Sequence, residues 1–111
     1  MGANSRKQDE EGVPVHLDDR VQVDPDPVKA GGTAKIRYNG LLAKSGADRV
    51  FLHYGVDGWK KPTTIEMTRI GDRFEGEVKA SATARSLEFC FKDSADHWDN
   101  NNGLDWRVSV I

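Results

Sequence analysis

The sequence predicts an all-β protein, a single antiparallel β-sandwich of immunoglobulin-like type. Several short segments carry apolar residues at every second position, which is typical of strands with one buried face. Turn-forming residues separate these segments at regular spacing, as they do in sandwich domains. No window of useful length repeats apolar residues at the i, i+3, i+4, i+7 spacing, so we expect no long amphipathic helix.

The first predicted strands each end at a strong turn signal. Residues 21–23 form the first strand, which ends at the Asp-Pro-Asp-Pro run of residues 24–27 because a proline has no backbone donor. Residues 34–38 alternate apolar and basic side chains and form the second. Residues 50–54 form the third, in which His53 lies on the face opposite to the main apolar positions.

The later strands are predicted from the same alternation. Residues 74–78 have one wet face, in a pattern typical of an antiparallel edge strand. Two polar stretches, residues 55–62 and residues 93–103, are predicted to be loops. The other predicted strands are residues 65–67, 87–91 and 104–110, the last with Leu104, Trp106, Val108 and Val110 in phase.

Length and composition restrict the classes of protein that fit. The chain has 111 residues, 37% of them hydrophobic, which suits one domain with a lean core. Residues 1–13 are predicted to be a disordered tail and residues 14–111 a single module. A net charge of −2 argues against nucleic-acid binding, and no apolar run is long enough for a membrane span. The first twelve residues do not form a signal peptide, so a complete chain is expected to be cytoplasmic, whereas an excised module leaves the location open.

The sequence offers no set of residues for catalysis, a metal or a cofactor. The motifs of nucleophile elbows, phosphate-binding loops and zinc proteases are absent. The three histidines are scattered, and the single cysteine, Cys90, excludes an internal disulfide and is expected to be inert. We therefore expect neither an enzyme nor a cofactor.

The three tryptophans fall into two groups. Trp106 is in phase with the last predicted strand and is expected in the core. Trp59 and Trp98 instead lie among charged and polar residues of the two predicted loops. Such tryptophans either fold back to cap the sandwich or present a flat apolar surface to a ligand with a hydroxyl rim, such as a sugar. The run of residues 100–102, three asparagines, offers amide donors and acceptors nearby, although it also suits a plain turn.

Several segments together resemble a known family. They are VFLHYGVDGW at residues 50–59, IEM at 65–67, FEGEV at 74–78, LEFCFKD at 87–93 and WDNN at 98–101. The combination is similar to the starch-binding carbohydrate-binding modules of families 25 and 53, over roughly residues 20–110. This resemblance implies a non-catalytic β-sandwich of the kind attached to amylases and to plant starch synthases.

The resemblance also implies a binding site. A histidine and two tryptophans would form a platform that stacks on adjacent glucose units, and nearby asparagines would bind sugar hydroxyls. The implied ligand is an α-1,4-linked glucan, with a tethered or associated glucan-active enzyme as a further partner. Inclined indoles would suit the curvature of a starch helix, whereas a flat platform would suit cellulose. The implied site residues are His53, Trp59, Trp98, Asn100 and Asn101, with Lys60 and Asp96 as adjacent candidates; Asp99 is expected to hold the shape of its loop.

Other functions fit parts of the same pattern. A β-sandwich of this kind can act as a protein-interaction or regulatory domain, like the related glycogen-binding domains of kinase complexes. Trp59 and Trp98 could also stack on the bases of a single-stranded nucleic acid, but the chain has no basic stripe to follow a phosphate backbone. A small enzyme is the least favoured alternative.

Overall fold

The computed structural model of the protein describes residues 19–111. The predicted tail, residues 1–13, and the first five residues of the predicted module lie outside the described residues. The described elements are β1 (Val21–Asp24), β2 (Thr33–Tyr38), α1 (Leu41–Lys44), β3 (Val50–Val56), β4 (Lys60–Glu66), β5 (Thr68–Ile70), β6 (Arg73–Lys79), β7 (Ser86–Asp93), β8 (Trp98–Asp99) and β9 (Trp106–Ser109).

The strands form two antiparallel sheets, which confirms the predicted all-β sandwich. The first sheet has four strands in the order β1-β2-β6-β5. The second has five strands, in which β3 lies between β4 and β7, and both β8 and β9 pair with the far side of β7. Strand β8 pairs near the end of β7 and β9 near its start, so the segment between them runs along the open side of β7.

The core lies between the two sheets and contains most of the aromatic residues. Tyr38 of the first sheet stacks on Phe91 of the second, with ring centroids 4.0 Å apart. Trp106 is fully buried, and its ring centroid lies 5.4 Å from that of Phe91. Phe74 and Phe89 are also buried, as predicted, and Tyr54 is half-buried against the same cluster.

The structure differs from the prediction where strands are exposed. The predicted loop of residues 55–62 is a three-residue turn, residues 57–59, because β3 extends to Val56 and β4 begins at Lys60. Strand β4 is an exposed edge, so it has no apolar alternation and tolerates Pro62 within it. Conversely, β6 is an interior strand, because it lies between β2 and β5 in its sheet. Its polar face is the solvent-facing outer side of the sheet and does not indicate an edge strand.

The second predicted loop is also more ordered than expected. Trp98 and Asp99 form the short strand β8, so Trp98 is not a loop residue. Leu104, which was predicted to be in phase with the core, is exposed because β9 begins only at Trp106. The one helix among the described elements, α1, has four residues, and no described helix is long and apolar enough to cross a membrane.

Replacing Trp106 should mainly destabilise the fold. We expect Trp106→Ala to lose about 3–5 kcal/mol of the free energy of unfolding, because it empties the space of the largest buried side chain. Trp106→Phe should lose less, since the buried indole nitrogen has no hydrogen-bond partner in the described part of the chain. Urea unfolding measures both, with Ile70→Ala, at a 46% exposed position, as the control. A Trp106→Ala midpoint equal to that control would contradict this assignment.

Candidate functional site

The candidate site lies on the outer face of the five-stranded sheet. Side chains alternate along β3, so Leu52 points into the core while Phe51 and His53 point outwards. The register places His53 opposite Cys90 of β7 and opposite Thr64 of β4. These neighbours therefore share the outer face with His53, away from the other sheet.

Three of the predicted residues meet on this face and form what we call the aromatic platform: His53, Trp59 and Trp98. The His53 and Trp59 rings are stacked, with centroids 5.3 Å apart and planes inclined by 22°. The His53 and Trp98 rings meet edge to face, with centroids 5.5 Å apart and planes inclined by 82°. Because the imidazole is nearly parallel to one indole and nearly perpendicular to the other, the two indole planes are steeply inclined to each other.

Trp59 reaches the platform from the tight turn between β3 and β4. Both Asp57 and Trp59 have positive φ angles, 49° and 71°, which non-glycine residues adopt only at a cost in free energy. Asp57 stabilises the turn through its carboxylate, which accepts hydrogen bonds from the backbone nitrogens of Arg85 and Ser86 at 2.8 and 3.2 Å. The turn is thereby attached to the start of β7.

Glu88 of β7 holds the same turn from below. One of its carboxylate oxygens accepts hydrogen bonds from the backbone nitrogens of Gly58 and Trp59, at 2.9 and 3.3 Å. The other accepts from the Ser86 hydroxyl at 2.7 Å and from Arg107 Nε at 3.1 Å. Glu88 is only 2% exposed, so these four donors replace the water that a buried carboxylate loses.

The Trp59 side chain is fixed by a glycine below it and by an acid beside it. A Cβ atom on Gly55 would lie 2.9 Å from Trp59 Cα and 3.1 Å from its indole Cε3, so only glycine leaves room for this packing. The indole Nε1 donates to Asp105 Oδ2 at 3.3 Å. Burial raises the pKa of Asp105, while this hydrogen bond and the charges of Arg107 and His53 act in the opposite direction.

Trp98 is placed by the pairing of β8 with β7, where it lies opposite Lys92. Its side chain is 46% exposed, and the Lys92 ammonium lies 5.5 Å from its ring centroid. The next residue, Asp99, points inwards and accepts a hydrogen bond from the Tyr38 hydroxyl at 2.6 Å. Burial and this carboxylate raise the pKa of Tyr38. Asp99 therefore anchors the strand that carries Trp98 to the opposite sheet.

The asparagine segment borders the platform on the open side of β7. Asn101 uses both ends of its amide within the fold, since Oδ1 accepts from Arg20 Nη2 at 3.1 Å and Nδ2 donates to the Asp105 carbonyl at 3.0 Å. Asn100 Oδ1 accepts from the Gly103 backbone nitrogen at 3.0 Å. Among the described residues, the side-chain amide nitrogens of Asn100 and Asn102 have no hydrogen-bond partner, and both residues are exposed, so both amides remain as donors for a ligand.

The two adjacent candidates lie at the margins of the site. Lys60 begins β4, directly after Trp59, and its side chain is exposed. Asp96 accepts a 2.6 Å ion-pair hydrogen bond from Lys92 Nζ, so it orients the lysine beside Trp98. On the other side, His53 Nδ1 lies 2.7 Å from the Thr64 hydroxyl, which fixes the orientation of the imidazole ring.

Sequence reasoning missed the residues that support the platform, namely Gly55, Thr64, Glu88 and Asp105. An acidic residue in an alternating strand is ordinarily expected to face solvent, whereas Glu88 is buried. The only signal was its position between Leu87 and Phe89 in the most apolar strand, which also suits a solvent-facing residue. Gly55 carried no signal, because the prediction placed it at the start of the loop of residues 55–62, where a glycine is common.

The arrangement offers aromatic surfaces and hydrogen-bond donors that a ligand could contact. It presents two inclined indoles and an imidazole, with an amide donor and a lysine at the rim. No group of three or more His, Cys, Asp or Glu residues in the part that the structure describes could hold a metal ion. The nearest carboxylates, Glu88 and Asp105, are engaged in holding Trp59.

Substituting Gly55 should displace Trp59 without unfolding the domain. We expect Gly55→Ala to separate the His53 and Trp59 rings, because the new methyl group overlaps the Trp59 backbone. Proton NMR of the His53 ring measures this as a loss of the ring-current shift. The control is Gly76→Ala, also within a strand, where the nearest atom would be at an ordinary 3.4 Å. An unchanged His53 spectrum in Gly55→Ala would contradict the packing described.

The buried thiol opposite His53 should make stability fall at high pH. Burial raises the pKa of Cys90 from 9.0 to about 12, with Asp105 and Asp99 adding to the effect. Above pH 9 the unfolded chain loses this proton while the folded chain keeps it. The stabilisation is therefore complete below pH 9 and is lost as the pH rises towards 12, at up to about 1.4 kcal/mol per pH unit.

Urea unfolding across this pH range tests the effect in the wild type and in Cys90→Ala. The variant should show the shallower decline of stability with pH, whatever its absolute stability. Tyr38, whose pKa is also raised, contributes to the slope in both proteins and cancels in the comparison. Equal slopes would show that Cys90 does not keep its proton in the folded state.

Similarity to known proteins indicates the family of the chain. The sequence profile described as starch/carbohydrate-binding module (family 53) matches residues 34–89, about half of the chain. The match includes His53 and Trp59 with their supports Gly55 and Glu88, whereas Trp98 lies beyond it.

A curated relative and the solved structures complete the comparison. The chain is 34% identical over 96 residues to an alpha-amylase of Clostridium acetobutylicum. This alignment covers 86% of the chain but only 12% of that relative, so the chain spans a small part of its length. No solved structure gives a significant match. On its sequence and its fold, the chain belongs to family 53 of the starch/carbohydrate-binding modules.

Proposed function

We propose that the domain binds α-1,4-linked glucan, as starch, glycogen or maltooligosaccharides, on the aromatic platform and leaves the glucan unchanged. The observation that carries the proposal is the steep inclination between the Trp59 and Trp98 indoles about His53. Two consecutive sugar units of a helical glucan turn relative to each other, so each can place its C–H face on one of two inclined rings. A flat β-linked glucan would meet only one ring at a time.

Hydrogen bonds at the rim would supply selectivity for hydroxyl-bearing ligands. The exposed amide nitrogen of Asn100 can donate to a hydroxyl, and Lys60 and Lys92 carry exposed or partly exposed ammonium groups. Asn101 would act indirectly, since its amide already joins Arg20 to the Asp105 backbone. A site built to bond hydroxyls discriminates strongly against analogues that lack them.

Binding without catalysis follows from how the nearby acids are used. Glycoside hydrolysis needs two carboxyl groups that flank the scissile bond. Asp96, at the margin of the site, is paired with Lys92. Closer to the centre, Glu88 is 2% exposed and bonded to four donors, and Asp105 accepts from the Trp59 indole. Both hold the binding surface in shape, so a bound glucan would meet stacking rings and donors.

The proposed role is that of a targeting module for a glucan-active enzyme. A shallow, wet surface gives modest affinity at each site, because sugar hydroxyls exchange bonds with water for bonds with protein at little net gain. A repeating polymer offers many sites, and a tethered partner raises the effective concentration. The relative described above is an alpha-amylase, and the alignment covers only 12% of that relative, which fits a module tethered to an enzyme.

Removing either platform tryptophan should abolish most binding and preserve the fold. We expect Trp98→Ala and Trp59→Ala each to weaken maltoheptaose binding at least about tenfold, because each removes one stacking surface. Calorimetric titration measures the dissociation constants, and circular dichroism verifies folding. Ile70→Ala, which removes an exposed apolar side chain from the other sheet, should bind like the wild type.

The same proteins should be tested on insoluble polymers. The wild type should sediment with starch and not with cellulose, and Trp98→Ala should remain in the supernatant. A folded Trp98→Ala protein with unchanged affinity would refute the site. A wild type that sediments with neither polymer would instead favour a protein-interaction or regulatory domain.

A further inference from the structure

We infer that Phe51, together with Arg49, Glu66 and Lys92, forms a further sugar subsite that extends the aromatic platform along β3, next to His53. This inference rests on the proposed function, because it lengthens the surface on which that function places the glucan. The four residues lie on the same outer face as the platform, and Lys92, which also contacts Trp98, belongs to both surfaces.

The position of Phe51 follows from the strand register. Phe51 precedes His53 by two residues on β3, so both side chains point outwards in line along the strand. Gly55, which lies under Trp59, continues the same line in the opposite direction. Lys92, the cross-strand partner of Phe51, is also the partner of Trp98. A chain that follows β3 over Trp59 and His53 would therefore reach Phe51 next, with Trp98 on the other side of Lys92.

The groups around Phe51 have the chemistry that a pyranose ring requires. The Arg49 guanidinium lies 5.3 Å from the Phe51 ring centroid and the Lys92 ammonium 5.9 Å from it. Lys92 also lies 5.5 Å from the Trp98 ring centroid, so it stands between the two aromatic rings and can donate to a sugar on either one. Because both cations lie over the Phe51 ring, a sugar hydroxyl that binds either one would bring the C–H groups of the sugar against the apolar ring.

Glu66 adds a hydrogen-bond acceptor to the donors around Phe51. Glu66 lies opposite Phe51 on β4 and forms two hydrogen bonds with Arg49, at 2.9 and 3.0 Å. The two side chains are 55% and 47% exposed, and ion pairs at such exposure contribute little to stability. The pair is therefore dispensable for the fold, but it presents a donor and an acceptor side by side. Neighbouring hydroxyls of one sugar unit can bond to both.

The subsite predicts that affinity depends on the length of the glucan. Short oligosaccharides fill only the aromatic platform, whereas longer ones also reach Phe51. In the wild type, affinity should rise from maltotriose to maltoheptaose by more than in Phe51→Thr. The difference should be about threefold to tenfold, the order expected for one aromatic contact. Maltotriose itself should bind equally to both proteins.

Calorimetric titration of the two oligosaccharides against the wild type, Phe51→Thr and Ile70→Thr tests the inference. Threonine keeps the β-propensity of the strand, and thermal unfolding shows whether each variant is folded. The quantity compared between proteins is the ratio of the maltoheptaose affinity to the maltotriose affinity. A change that weakens both ligands equally leaves this ratio unchanged, and the statistical advantage of the longer chain is the same in every protein. Ile70→Thr, an apolar-to-threonine change on the other sheet, should keep the wild-type ratio.

A second variant separates the polar groups from the ring. Arg49→Gln with Glu66→Gln removes both charges and keeps Phe51, and it should also lower the ratio. An unchanged ratio in both variants would overturn the subsite, and so would an equal loss of maltotriose and maltoheptaose binding in Phe51→Thr. If the wild type binds maltotriose but the affinity ratio does not depend on Phe51, the subsite is overturned and the proposed function is not. A wild type that binds neither oligosaccharide would overturn both.

Discussion

The hydrogen bonds of the buried Glu88 carboxylate are the interaction on which the aromatic platform depends. A carboxylate that is 2% exposed is costly to bury unless every lone pair finds a donor, and here donors come from the β3–β4 turn, β7 and β9. Two of them are the backbone nitrogens of Gly58 and Trp59. Since Trp59 also has a positive φ angle, its conformation persists because this carboxylate and the Asp57 carboxylate stabilise the turn.

Trp98 depends on a second buried acid in the same way. Asp99 is 6% exposed and accepts a short hydrogen bond from Tyr38, whose ring stacks on Phe91 in the centre of the core. The strand that presents Trp98 is thus attached to both sheets through one carboxylate. Because both indoles are held from beneath, the platform would lose little conformational entropy in the proposed binding of a glucan, and this preorganisation would offset part of the weakness of a shallow site.

Sequence reasoning predicted the sandwich and the residues of the platform, but it missed their supports. Apolar alternation reports burial between the sheets, so it located the strands that carry Leu52 and Phe91 and failed for the exposed edge strand β4. It could not show that Glu88 is buried, because a solvent-facing and a hydrogen-bonded buried acid occupy the same position in the alternation. Asn101 was chosen for its amide, yet only three-dimensional contacts reveal that Arg20 and Asp105 engage it.

A lean apolar core explains why polar anchors support this surface. The nine aromatic residues cannot both fill the sandwich and brace its outer face, and the three in the platform and its extension, Phe51, Trp59 and Trp98, lie outside the core. Aromatic rings on a solvent-facing sheet could rest on further apolar side chains, but these would enlarge the exposed apolar area. Buried carboxylates instead orient the rings through directional hydrogen bonds. The geometry of the platform is therefore set by charge and hydrogen bonding, while stability comes from Trp106 and its neighbours, and the two properties can change independently.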